Sequence, residues 1–222
     1  MTYQMSASDM DPKWVEDMWA KFPCTKVVDA NGVENGNYRT GPVRGSFMNV
    51  LQRGKPIAPA TTGKFGATAL FPPAADIALL KQAATDAAVA KWPTAGQVGG
   101  PTLHTPFRQQ ADKANLEGYT PGGVFITATA DQRAPYAVNA QGVPITENGL
   151  IVSGAWYFFV LRPFMFDAGL KKGVSFGLQG VMKIADDRAF GGGGGGNPAA
   201  DFAGVSIDTS AQAAAVNPAG LF

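Results

Sequence analysis

Few side chains in this sequence could do covalent chemistry. His104 is the single histidine, so a Ser-His-Asp or Cys-His relay would have to pass through it. It stands in a proline-flanked Leu103-His-Thr-Pro106 segment with no motif around it, and reads as a solvated loop residue. Cys24 is alone, which excludes an internal disulfide and a cysteine metal cluster. A two-metal site needs clustered carboxylates. The adjacent pair Asp186-Asp187 is a poor chelate, because neighbours on a strand point to opposite faces. The sequence therefore reads as non-enzymatic, with no cofactor and no metal.

What the chain does carry is flat rings interleaved with cations. Trp156, Phe158 and Arg162 alternate onto one face of an extended run, and Phe125, Arg133 and Tyr136 follow one another closely. Arg108 and Lys113 sit in a long loop, and Lys171-Lys172 stand at the mouth of a hairpin. Rings give bases a face to stack on and cations track phosphates, the two contacts that hold a single nucleic-acid strand. Each base–aromatic stack is worth about 1–3 kcal/mol and accepts any base. Taken singly, each ring is as readily core as platform, and each cation is by default a solvated charge. The candidate is the group.

The elements that must position these residues begin with Gly149–Phe190. Ile151–Phe166, dense in aromatic and β-branched residues, and the alternating run Val174–Ile184 read as two strands joined at Asp167-Ala-Gly169. Arg44–Leu51, Lys64–Phe71 and Gly123–Ala130 are further strands. In the last, Val124, Ile126 and Ala128 share one face and Phe125, Thr127 and Thr129 the other. Tyr136–Val138 and Val143–Thr146 can pair across the intervening turn. Asp76 caps a helix with the apolar face Ile77, Leu80, Ala84, Ala88, stopped at Trp92-Pro93. Residues 93–122 read as a long loop. This order predicts a mainly β chain: an OB-fold-like, five-stranded, partly open barrel with one main helix, an N-terminal helical extension and a flexible C-terminal tail.

Three regions follow: an extension over 1–43, the barrel over 44–190, and a glycine-rich linker with tail over 191–222. The extension carries a short amphipathic helix at 9–22, with Asp11 as cap, Pro12 at its first position and a stripe of Val15, Met18, Trp19 and Phe22. That stripe either packs on its own domain or docks on a second subunit, as in a homodimer. Residues 29–42 read as a turn-rich loop. The six glycines Gly191–Gly196 behave as a tether; no GK[ST] follows them, so they are no phosphate loop.

Charge narrows the partner. The chain has a formal net charge of +1, yet between Tyr38 and Ala114 nine basic residues face only Asp76, Asp86 and Asp112. Local positive charge of this kind can line a groove. No apolar run approaches the roughly 20 residues of a membrane span, and the N-terminus lacks the features of a signal peptide. A soluble, intracellular protein is expected, with no membrane partner.

Several blocks in order resemble the bacteriophage OB-fold single-stranded DNA-binding proteins. They are Arg44-Gly-Ser-Phe47-Met-Asn-Val50; Lys64–Phe71, whose Phe-Pro-Pro leads into a helix ending at Lys91-Trp92; Gly122–Ala130 with Ala134–Val138; Ile151-Val-Ser-Gly154-Ala-Trp156; and Lys172-Gly-Val174, Phe176-Gly-Leu178-Gln, Val181-Met-Lys183 and the closing Gly-Gly-Gly to Ala-Asp-Phe202 run. The likeness covers about Arg44 to Phe202. It implies single-stranded DNA binding without strong sequence preference, in replication and recombination, in the cytoplasm of the infected bacterial host. Related phage proteins often end in an acidic tail with a terminal aromatic that recruits replication partners. Here Phe222 supplies the aromatic, while Asp201 and Asp208 are the acids after Arg188. A phage structural or assembly β protein, with the 9–22 helix and the tail mediating assembly, is the alternative.

Overall fold

The computed structural model describes residues 10–169 and 171–191. Its elements run α1 (Pro12–Lys21), β1 (Thr25–Val28), β2 (Glu34–Arg39), β3 (Val43–Asn49), β4 (Phe65–Phe71), α2 (Ala78–Lys91), β5 (Arg108–Gln109), β6 (Val124–Ala130), β7 (Tyr136–Val138), β8 (Trp156–Ala168) and β9 (Lys171–Ala185). Short 3-10 turns lie at Gln110–Lys113 and Asn148–Leu150.

One sheet joins the strands in the order β1-β2-β8-β3-β4-β6-β9-β7, with β5 on β6 and a further pairing of β8 with β9. That further pairing closes a ring of five strands, β8-β3-β4-β6-β9, the OB-fold-like barrel the pattern predicts. The ring is thin at two seams. β3 meets β8 only at Val43–Tyr157 and Arg44–Trp156, and β6 meets β9 in parallel only at Ala128–Phe176 and Thr129–Gly177. The β8–β9 ladder, by contrast, runs from Trp156–Ala185 to Ala168–Lys171.

Alternation sends Tyr157, Phe159 and Leu161 of β8 inward against Phe176 and Leu178 of β9, Ala67, Ala69 and Phe71 of β4, and Ile126 and Ala128 of β6. Helix α2 closes one end of this core with Ile77, Leu80, Ala84 and Ala88, the face expected from its spacing. Asp76 accepts from the Ala78 N–H at 2.9 Å at its start.

The structure departs from the sequence reading in several places. Residues 34–39, expected as loop, form β2: Glu-Asn-Gly-Asn-Tyr-Arg has no apolar alternation, and the strand is held by its ladder to β8 at Tyr38–Leu161 and Arg39–Val160. Residues 25–39 are thus woven into the barrel's sheet. Strand β8 begins at Trp156 rather than Ile151, because the preceding Gly154 sits at φ +104°, outside strand geometry. Within 93–122, expected as one loop, Arg108–Gln109 pairs with Val124 and Phe125. Val143–Thr146 pairs with Tyr136–Val138 as expected, through the Val138–Pro144 bridge and the Ile145 N–H donating to the Ala137 carbonyl at 2.8 Å, but does not extend into a strand.

Helix α1 folds back on its own domain. Asp11 Oδ1 accepts from the Lys13 N–H at 2.9 Å, as its capping position requires. Trp19 lies over Gly41, where a Cβ would come within 2.5 Å of the indole, so only glycine admits this contact. Trp14 packs edge-on against Trp156, and Phe22, just past the helix, against Phe158, each with ring centres 5.5 Å apart. The compact unit ends at Gly191. Phe222 and the rest of the tail lie outside the described residues.

Candidate nucleic-acid interface

The outer face of β3, β4 and β6 gathers the features a single strand would need. On β6 this face carries Phe125, Thr127 and Thr129, as the alternation predicts; on β4 it carries Gly66, Thr68 and Leu70, paired across the ladder with Thr129, Thr127 and Phe125. Thr68 and Thr127 hydroxyls lie 3.1 Å apart.

Phe125 is not a platform. It is 1% exposed, packed edge-on against Tyr119 at 5.5 Å between ring centres. Its outward side is covered by the Arg108 guanidinium, 4.5 Å from the ring centre, and the Lys113 ammonium, 5.4 Å away. The ring is a foundation on which two cations rest. Arg108 is further fixed by donating to Thr127 Oγ1 at 3.0 Å.

The segment bearing those cations is pinned by Gln110, itself 1% exposed. Its side-chain N–H groups donate to the carbonyls of Phe71 (2.8 Å) and Val124 (2.9 Å), and its Oε1 accepts from the Thr120 N–H (2.8 Å). A buried amide so fully paired is rigid. Sequence reading placed Arg108 and Lys113 without seeing what holds them.

Phe47 is the residue that reading missed as a site. It is 53% exposed, lies 5.8 Å from the Lys113 ammonium, and has φ +51°, alone among described non-glycine residues in that region. The cause is the irregularity in the β3–β4 register between Ser46 and Asn49. A β-bulge re-aims side chains, and here it turns a large ring outward. The available sequence signal was Phe47 itself, an aromatic in a short strand beside Gly45.

Beside Phe47 a groove of about 350 Å³ runs under the 50–64 loop, lined by Phe65, Lys55, Lys64, Thr127 and Thr129 among others. Arg53 covers the Phe65 ring at 4.8 Å. Arg53 and Lys64 both reach Asp131, at 3.3 and 3.4 Å, tying this loop to the β6–β7 turn. Those two cations hold the Asp131 carboxyl below its usual range.

The other sequence candidates fall elsewhere. Trp156 and Phe158 are 4% and 7% exposed and are not open to a ligand. α1 lies over them, Arg39 sits 5.2 Å above the Phe158 ring, and Trp156 Nε1 donates to Asp187 at 2.8 Å. Lys171 and Lys172 are at the tip of the β8–β9 hairpin, with Lys172 3.7 Å from Asp167. Arg162, Arg133 and Tyr136 are exposed on the outer surface around β9; Arg162 stands in the cross-strand row Gly66, Thr129, Gly177, Arg162, and Tyr136 pairs with Gly180. Asp186 and Asp187 lie just past the end of β9, not on the strand as expected, and diverge all the same: Asp186 meets Lys183 at 2.6 Å, while the fully buried Asp187 carboxylate serves Trp156 and, at 3.5 Å, Arg44. His104 is exposed and its backbone bridges to Gly173. Among the described residues no helix is long and apolar enough to cross a membrane.

Comparison with known proteins identifies the family and the fold. A family model described as the single-stranded-DNA-binding protein of Enterobacter phage Enc34 matches residues 37–214. The single-stranded DNA-binding protein of bacteriophage Enc34, solved in complex with single-stranded DNA, superposes with a TM-score of 0.59 at 21% identity, over 77% of this chain and 99% of that one. A further structure of the bacteriophage Enc34 single-stranded DNA-binding protein gives 0.55 at 18% identity, over 86% and 98%. Among curated proteins nothing matches the chain.

Proposed function

The chain belongs to the family of the Enc34 phage single-stranded DNA-binding protein, a non-enzymatic class, and we propose that it binds single-stranded DNA across the outer face of β3, β4 and β6. The observation that carries this is Phe47, a half-exposed ring turned outward by a left-handed backbone beside Lys113. A base stacks on Phe47. Arg108, Lys113 and Lys55 meet phosphates, with Arg53 and Lys64 shaping the groove wall. The threonines and glycines between them form a low floor that admits any base, so the mode is sequence-tolerant.

Arg133, Tyr136 and Arg162 extend the path across β9. Trp156 and Phe158 are assigned to the core instead, and Lys171 and Lys172 to the hairpin tip. The protein serves phage DNA replication and recombination in the cytoplasm of the infected host. Replication proteins are its further partners, met through the tail that ends in Phe222.

Fluorescence anisotropy of labelled oligo-dT, titrated across salt and against duplex competitor, tests the reading. Affinity should fall with salt at a slope of about −0.7 per phosphate contact, and Arg108→Ala or Lys113→Ala should each flatten that slope by about one contact. Absence of binding at low salt by folded protein would overturn it.

A further inference from the structure

The turn from β6 to β7 encloses a second, more polar cavity of about 620 Å³, lined by Asn37, Thr129, Arg133, Tyr136, Leu178 and Gln179 among others. Its volume is that of a small-ligand site. Two features distinguish it from a surface dent. Tyr136, 53% exposed, rests its ring against Gly180, where a Cβ would lie 2.3 Å from it. Thr129 lines both this cavity and the Phe47 groove.

We infer that this cavity is a nucleobase pocket, taking one base turned out of the strand after it crosses the Thr129 row. This rests on the single-strand reading given above and adds a site to it. The chemistry fits a base. Every nucleobase carries at least one N–H on its pairing edge, which the Gln179 amide oxygen can accept, and a flat face for the Tyr136 ring. Arg133, exposed at the rim, is placed for the adjoining phosphate. Asp131 also lines the cavity, but its carboxylate is taken by Lys64 and Arg53. Strand β9 admits the site only because residue 180 is glycine.

The test uses the full chain and three probes: oligo-dT, an abasic deoxyribose-phosphate oligomer of equal length, and an oligomer of N3-methylthymidine, which keeps the ring and loses the pairing-edge N–H. Tyr136→Leu should weaken oligo-dT binding by about 5- to 150-fold and leave abasic binding unchanged. N3-methylation should weaken wild-type binding, and Gln179→Leu should be indifferent to it; wild type indifferent to N3-methylation overturns the pocket. Tyr136→Leu binding oligo-dT as tightly as wild type, while Phe47→Ala still binds weakly, overturns the pocket and spares the path. Wild type that binds no oligo-dT overturns the path itself. Equal losses on oligo-dT and abasic oligomer would reduce Tyr136 to a structural role and also overturn the pocket.

Discussion

Replacing Phe47 separates what its ring does from what its backbone costs. A non-glycine residue in the left-handed region is penalised by about 1–2 kcal/mol, and φ at Phe47 is +51°. Phe47→Ala keeps that penalty and removes the ring. Phe47→Gly removes both, at the expense of about 0.4–1 kcal/mol of added unfolded-state entropy. Glycine should therefore be more stable than alanine here by about 1 kcal/mol, or roughly 2–4 °C in Tm for a domain of this size. Because the ring is 53% exposed, its packing loss is small and common to both variants. Binding should behave differently. Each variant loses one base stack, about 1–3 kcal/mol, so each should bind oligo-dT about 5- to 150-fold more weakly, and Phe47→Trp should restore affinity. Thermal melts and anisotropy on the three variants read both quantities. If Phe47→Gly is folded and binds like wild type, the ring is no stacking platform and the β3–β4–β6 assignment fails. If alanine and glycine are equally stable, the backbone at 47 is not strained as described.

Gln110→Leu leaves the carbonyls of Phe71 and Val124 and the N–H of Thr120 without their partner; unpaired buried groups cost about 1–3 kcal/mol each, so chemical denaturation should show a loss of at least about 3 kcal/mol, and oligo-dT affinity should fall as Arg108 and Lys113 lose their fixed positions. Phe158→Ala should lower stability by about 3–5 kcal/mol without changing the affinity of the folded protein; weakened binding at unchanged Tm would return Phe158 to the site. Tyr157 donates to the Val152 carbonyl at 2.8 Å, and burial pushes its hydroxyl far above the usual tyrosine range. The unfolded chain then ionises first, so this contribution is complete below about pH 10 and is lost as pH rises further. Denaturant melts at pH 9 and pH 11 should show that loss, and Tyr157→Phe should reduce the difference; equal pH dependence in both proteins would show that Tyr157 is not its source.

The barrel was legible because its strands obey alternation. Val124, Ile126 and Ala128 face the core and Phe125, Thr127 and Thr129 face out, as period 2 demands. β2 was illegible because its side chains carry no such pattern; tertiary pairing to β8 makes it a strand. The site was half legible for a related reason. Alternation puts Trp156 and Phe158 on the outer face of β8, correctly, but it cannot say that α1 returns to cover that face. Conversely, nothing in Gly45-Ser-Phe47-Met48 announces a bulge, so the ring that does face solvent was read as an ordinary strand residue.

The same contrast explains how a chain with so little net charge can present a cationic face. Of the surplus bases between Tyr38 and Ala114, Arg44 is spent internally on the carbonyl of Gly154 and the carboxylate of Asp187. Arg53 and Lys64 are spent on Asp131. Arg108 and Lys113 are different. They stand on the Phe125 ring, and no carboxylate pairs with either among the described residues. A ring beneath a guanidinium fixes its position while leaving its charge uncancelled, whereas a carboxylate would fix the position by cancelling it. In the proposed mode, burying Phe125 therefore serves binding better than exposing it would. The ring proposed to stack on a base and the ring that holds the cations are different residues, Phe47 and Phe125, and Lys113 lies within 6 Å of both.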